Sequence, residues 1–160
     1  MKSSNYYYTF SLTQALENGI WSLEAQFSNL IGNGVAIGSV RDSHNITANE
    51  HPTDSPNDQH MAVIGEKRWT NDIRYKGVGT SGNQGFDNNE IVRLEFDSEK
   101  GTLTFFMNDV QQPVYISEIK EKVRFVFALG YQNETCIIRS LKKLAAATAG
   151  HVANEKAVQW

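Results

Sequence analysis

A two-residue rhythm of apolar and polar side chains constrains this chain more than any other feature. Across residues 20–27, Trp21, Leu23, Ala25 and Phe27 alternate with Ser22, Glu24 and Gln26. Successive side chains of a β-strand point to opposite faces, so such a segment buries one face and wets the other. Val92, Leu94 and Phe96 alternate with Arg93, Glu95 and Asp97, and Leu103, Phe105 and Met107 with Thr102 and Thr104. The turn-forming Ser98-Glu99-Lys100-Gly101 lies between these two runs, which predicts a β-hairpin over residues 90–107. Residues 123–129 are apolar throughout except at Arg124, as in a central strand covered on both faces. Further strands are predicted at 6–11, 35–40, 61–64, 73–76, 114–116 and 135–141, while the helical period is almost absent before residue 141. About nine or ten strands of this length need two stacked sheets to bury their apolar faces. The fold class is therefore all-β, a two-layer antiparallel β-sandwich.

With 160 residues, the chain has room for one domain with one core. Fifteen Lys and Arg against 18 Asp and Glu leave a net charge of −3, and no basic stripe is present to follow a phosphate backbone, so no nucleic-acid partner is expected. The apolar runs fall far short of the ~20 residues that span a bilayer, and the amino terminus lacks the apolar segment of a secretory signal. The expectation is a cytoplasmic, monomeric domain that engages no membrane. The lone Cys136, beside Ile137 and Ile138, reads as a small core residue rather than a nucleophile. In the cytoplasm, the sequons at Asn45 and Asn133 would stay unmodified. The β-rhythm assigns residues 1–141 to the sandwich. The alanine-rich residues 142–160 read as a tail, either a short helix or frayed, with little large apolar surface to bury. Its Lys143-Leu144-Ala145-Ala146-Ala147 resembles the translated remnant of a cloning linker.

Three groups could carry chemistry. Glu95-Phe96-Asp97-Ser98-Glu99 places carboxylates at alternate positions, as sandwich glycosidases do, but Glu99 falls in the turn, and solvated carboxylates on a hairpin explain the pattern more simply. His44, His51 and His60 share the 41–60 stretch with Asp42, Asp54 and Asp58. Their spacing matches no short fixed ligand pair, so the segment reads as a solvated polar loop and no metal is expected. No nucleophile, base and orienting group assemble, so no catalytic residue is assigned. The aromatics are the third group. Most of the eight Phe fall on inward faces, whereas Trp69, Tyr75 and Tyr131 border polar stretches, where an amphipathic ring either caps the sandwich or anchors a partner. The long stretches 41–60 and 77–89 lack strand character and are natural places for a binding surface.

EIVRLEFDSEKGTLTFFMNDV followed by VRFVFALGYQNETCIIRSL resembles the carboxy-terminal core of SPRY (B30.2-like) domains, and GIWSLEAQF and GVAIGSV are similar to earlier elements of that family. The resemblance covers roughly residues 5–141, is poorest across 41–89, and suggests a SPRY module without the additional PRY segment. It implies a non-catalytic, cofactor-free interaction module that binds a peptide or folded partner through loops at one end of the sandwich, in some contexts as the substrate-recruiting arm of a ubiquitin ligase. The candidate contact residues on that reading are Trp69, Tyr75, Tyr131 and Gln132, with Arg41 and Asp42 added on position and chemistry. Residues 41–42, 69–75 and 131–132 are expected to share one rim. The alternative is a carbohydrate-binding, lectin-like or glycosidase-like sandwich.

Overall fold

The structure, a computed structural model, describes residues 7–32 and 34–160. Tyr6, at the start of the first expected strand, lies outside them. The strands are β1 (Tyr8–Ser11), β2 (Ile20–Ser28), β3 (Ala36–Arg41), β4 (Met61–Gly65), β5 (Ile73–Tyr75), β6 (Val78–Thr80), β7 (Ile91–Asp97), β8 (Thr102–Met107), β9 (Val110–Gln111), β10 (Val114–Ser117), β11 (Val123–Leu129), β12 (Thr135–Leu144) and β13 (Lys156–Gln159). Most expected strands recur within two residues of their predicted bounds, and the 90–107 hairpin is β7 and β8. Six strands form one sheet in the order β1-β11-β3-β4-β5-β6. The second sheet runs β12-β2-β7-β8-β10-β13, with β9 paired to β8.

The inner faces meet in one core that includes Leu23, Phe27, Ile37, Ile64, Phe86, Leu94, Phe96, Phe105, Phe125 and Phe127. Phe27 stacks on Phe86 with ring centroids 4.6 Å apart. At roughly 25 cal/mol per Å² of apolar surface removed from water, burial of these aliphatic and aromatic side chains is the main term favouring the folded state. Cys136 packs half-buried against this core, and burial pushes its thiol up to about 12, well outside the range of a nucleophile.

The 41–60 segment departs from its expectation as a solvated loop. A second apolar cluster, Ala36, Val40, Met61, Val63, Val126 and Ala128, lies on the outer face of the first sheet, with Ile46 and Trp69 packed against it. The segment folds over that face as a third layer and buries His51 and Asn57. His51 sits edge-on between Tyr7 and Trp69 and places Nε2 2.6 Å from the Gly34 carbonyl and Nδ1 2.8 Å from the Thr53 hydroxyl. Burial lowers its pKa, only partly opposed by that carbonyl and by Asp54. His44 and His60 stack on each other at 4.3 Å, apart from those contacts. Among the described residues, no three His, Cys, Asp or Glu side chains converge as metal ligands.

The tail departs as well, for residues 142–160 contain no helix. β12 continues to Leu144 at one edge of the second sheet, and the chain then crosses the outer face of that sheet to its other edge. There β13 joins β10 in parallel, Val114 beside Lys156 and Ser117 beside Gln159. Val158 and Trp160 pack against the core, the apolar contact that the composition of the tail concealed. The crossing strap explains a further difference. Glu95 and Asp97 do lie on the polar side of the hairpin, but they are buried rather than solvated, at 2% and 6% exposure.

Candidate interaction surface

Strand register decides which candidate residues meet. Arg41 pairs with Val123 and Val40 with Met61, whereas Ala36 pairs with both Ala128 and Gly65. β5 runs antiparallel to β4, with Ile73 beside Ile64 and Arg74 beside Val63, which carries Tyr75 toward the Arg41 end. The loops that hold Trp69, Tyr131 and Gln132 leave the opposite end. The expected single rim is therefore two: Arg41, Asp42 and Tyr75 at one end, Trp69, Tyr131 and Gln132 at the other. Antiparallel neighbours within a sheet deliver successive loops to alternate ends, so the loops that follow β3 and β4 lie at opposite ends of the sandwich.

At the first end the side chains interlock. The Arg41 guanidinium pairs with the Glu121 carboxylate, donates to the Tyr75 hydroxyl at 3.2 Å, and lies 5.0 Å from the centroid of Trp160. Trp160 stacks on Tyr75 nearly parallel, with centroids 5.1 Å apart, and its indole N–H donates to Glu121 Oε1 at 2.7 Å. Lys76 Nζ lies 4.9 Å from the centroid of the Tyr75 ring. Asp42 is engaged with Arg124, which also donates to the Ser11 hydroxyl and to the Asp42 and His44 carbonyls. A groove of about 540 Å³ opens at this end between residues 16–18, the 98–101 turn and residues 117–122. Its rim mixes Glu17, Glu99, Glu118 and Glu121 with Lys100, Lys120 and Lys122. Nothing in the sequence tied Trp160 or Glu121 to Arg41. Only the two-residue spacing of Val158 and Trp160 hinted at a strand.

At the second end, Glu134 organises the loop that displays Tyr131 and Gln132. Its carboxylate accepts the N–H groups of Gly130, Tyr131 and Ile31 at 2.8, 2.9 and 3.3 Å. Gln132 is exposed and Tyr131 half-exposed. Trp69 is a packing residue by its contacts, since it covers Gly65 so closely that a β-carbon there would lie 2.1 Å from its ring.

The buried carboxylates on the outer face of the second sheet are held by the chain itself. Glu95 accepts the N–H groups of Thr148 and Ala149 at 2.9 and 3.0 Å, meets the Thr148 hydroxyl, and pairs with Arg93 at 3.0 Å. Burial would raise its pKa, but the hydrogen bonds from Thr148, Ala149 and Arg93 outweigh that and hold it below the ordinary carboxylate range. Asp97 accepts the N–H groups of Glu99 and Lys100, both at 3.0 Å, and so shapes the hairpin turn.

No protein-family sequence model and no curated protein sequence matches the chain. Solved structures do. The SPRY domain of human HERC1 superposes with a TM-score of 0.64 at 10% identity, covering 91% of this chain and 92% of that one. The TRIM65 PSpry domain gives 0.63 at 14% identity over 82% of this chain and 68% of that one. Stonustoxin gives 0.60 at 14% identity over 85% of this chain and 20% of its own. The chain thus folds as a SPRY-like β-sandwich.

Proposed function

We propose that this domain is a non-catalytic protein-interaction module that binds a peptide or folded partner through the rim of one sandwich end, acting in the cytoplasm as a recruiting element of a larger assembly such as a ubiquitin ligase. The observation that carries this reading is Arg41, partly exposed at a rim where its guanidinium meets the stacked Tyr75 and Trp160 rings beside an open groove. Arginine and large aromatic rings are the side chains from which binding hot spots are most often drawn. The carbohydrate alternative is weaker because Glu95 and Asp97 are already engaged by donors from the chain itself, which leaves neither free to serve as acid, base or nucleophile on a sugar.

The test is titration of an isolated partner against Arg41→Ala at one end and the pair Tyr131→Ala and Gln132→Ala at the other, with folding checked by circular dichroism. A hot spot at the Arg41 rim costs about 2 kcal/mol or more of binding while the other end stays silent. Undiminished affinity in every variant removes the loop rims from the reading. Glycoside cleavage abolished by Glu95→Gln would replace it with the carbohydrate reading.

A further inference from the structure

We propose that the cleft formed by the β10 edge, Glu95, Gln111 and the Arg41–Tyr75 rim is a binding site for an extended peptide, filled in this structure by residues 147–160 of the chain itself, and that a partner presents a segment of the same chemistry. The inference rests on the interaction-module reading and names what that module recognises.

The contacts are those of a receptor for backbone. Glu95 takes two consecutive N–H groups and the hydroxyl of Thr148. The Gln111 side-chain amide grips Gly150 in both directions, donating to its carbonyl at 2.6 Å and accepting its N–H at 2.9 Å. Four residues of β13 then extend the sheet in parallel with β10, and the Lys156 and Trp160 N–H groups donate to the Pro113 and Ser117 carbonyls. Strand addition of this kind draws affinity from main-chain bonds and specificity from alternate side chains. The side chains fit that division. Lys156, Ala157 and Gln159 are exposed, a β-carbon on Gly150 would meet nothing within 4 Å, and only Val158 and Trp160 reach the core.

The segment is also separable from the sandwich. Between Leu144 and Lys156 it has no regular structure, and the fully buried residues of the inner core all precede it in the chain. Few apolar contacts and an exposed path mark a region that opens locally without global unfolding. Opening would leave β10 an unpaired edge, strip Glu95 of every backbone donor, and bare the face of Tyr75. An uncovered edge, and beside it a carboxylate stripped of its N–H donors, are both open to a replacement ligand. The preferred ligand is therefore an extended peptide with serine or threonine opposite Glu95, followed by a strand parallel to β10 in which an aliphatic and an aromatic residue stand two apart.

The experiment uses the full chain, with a site-specific protease sequence placed between Leu144 and Ala147 and cut after folding. A fluorescent peptide of residues 147–160 is then added, and its anisotropy followed. Exchange into the folded, nicked protein is expected, with peptides carrying Trp160→Ala or Thr148→Val weaker by about tenfold or more. Unfolding on nicking, absence of exchange, or equal binding of the substituted peptides would make residues 147–160 an integral strand and overturn the proposal. A partner that binds the domain unaffected by excess 147–160 peptide overturns the cleft while leaving the interaction-module reading intact.

Discussion

Glu134 shows how one carboxylate shapes a loop that composition alone leaves undefined. By gathering the N–H groups of Gly130, Tyr131 and Ile31 it gives that turn the internal partners that water would otherwise supply. Glu134→Ala is expected to cost about 1–3 kcal/mol, read as a lower urea midpoint, because it strands buried donors. Gln132→Ala next to it should stay within about 0.5 kcal/mol. Tyr75 changes meaning at the same scale. As a ring at a loop edge it read as a contact for partners, but it is only 5% exposed and belongs to the core. Tyr75→Ala would therefore confound binding with folding. Tyr75→Phe, which removes only the acceptor of the Arg41 hydrogen bond, is expected to cost about 1 kcal/mol in thermal or urea unfolding and isolates the contribution of the hydroxyl.

At the scale of elements, strands whose own side chains state which face is buried were legible, and those defined by distant partners were not. The β7–β8 hairpin declares itself because Val92, Leu94 and Phe96 find Leu103, Phe105 and Met107 across a local turn. β13 declares almost nothing. Its partner β10 lies about forty residues earlier, and of its four residues only Val158 reaches the core. For the same reason Glu95 read as a solvated carboxylate, since its donors, Thr148 and Ala149, arrive from a segment with no β-rhythm. The ends of the sandwich were likewise illegible, because which loops converge depends on strand order rather than on sequence distance. Docking of the tail through Trp160 carries a cost for removing it. Trp160→Ala is expected to lower stability by about 1–2 kcal/mol, more than the small effect that the composition of the tail suggests. Equilibrium urea unfolding followed by circular dichroism checks this, and an unchanged midpoint would mean that the ring rests on Tyr75 without stabilising the fold.

For the whole molecule, acid should act in two stages, because two buried groups with lowered pKa values sit in different layers. His51, within the third layer, is held neutral by burial, so as pH falls below the ordinary histidine value of about 6.5 the unfolded chain takes up a proton that the folded one refuses. Stability is then complete above that value and declines below it, by at most about 1.4 kcal/mol per pH unit for one proton, until the folded-state pKa is reached. Glu95, beneath the strap, enters later. Its carboxylate stabilises the fold above the ordinary glutamate value of about 4.3, and that contribution disappears as pH falls through its lower folded-state value. Protonation removes acceptors from Thr148 and Ala149, so the second stage should loosen the strap before the sandwich. The check is the urea midpoint from about pH 8 down to about pH 2 together with amide exchange. Wild type is expected to lose stability from about pH 6.5 downward, while His51→Gln is flatter in that range, and NMR should show the His51 ring titrating below a free histidine. Well below about pH 4, as Glu95 protonates, the amides of Thr148, Ala149 and Gly150 should lose protection before those of β7 and β8. An equal slope in wild type and His51→Gln would assign the first stage to other groups, and simultaneous loss of protection in strap and hairpin would show that the strap has no separate transition.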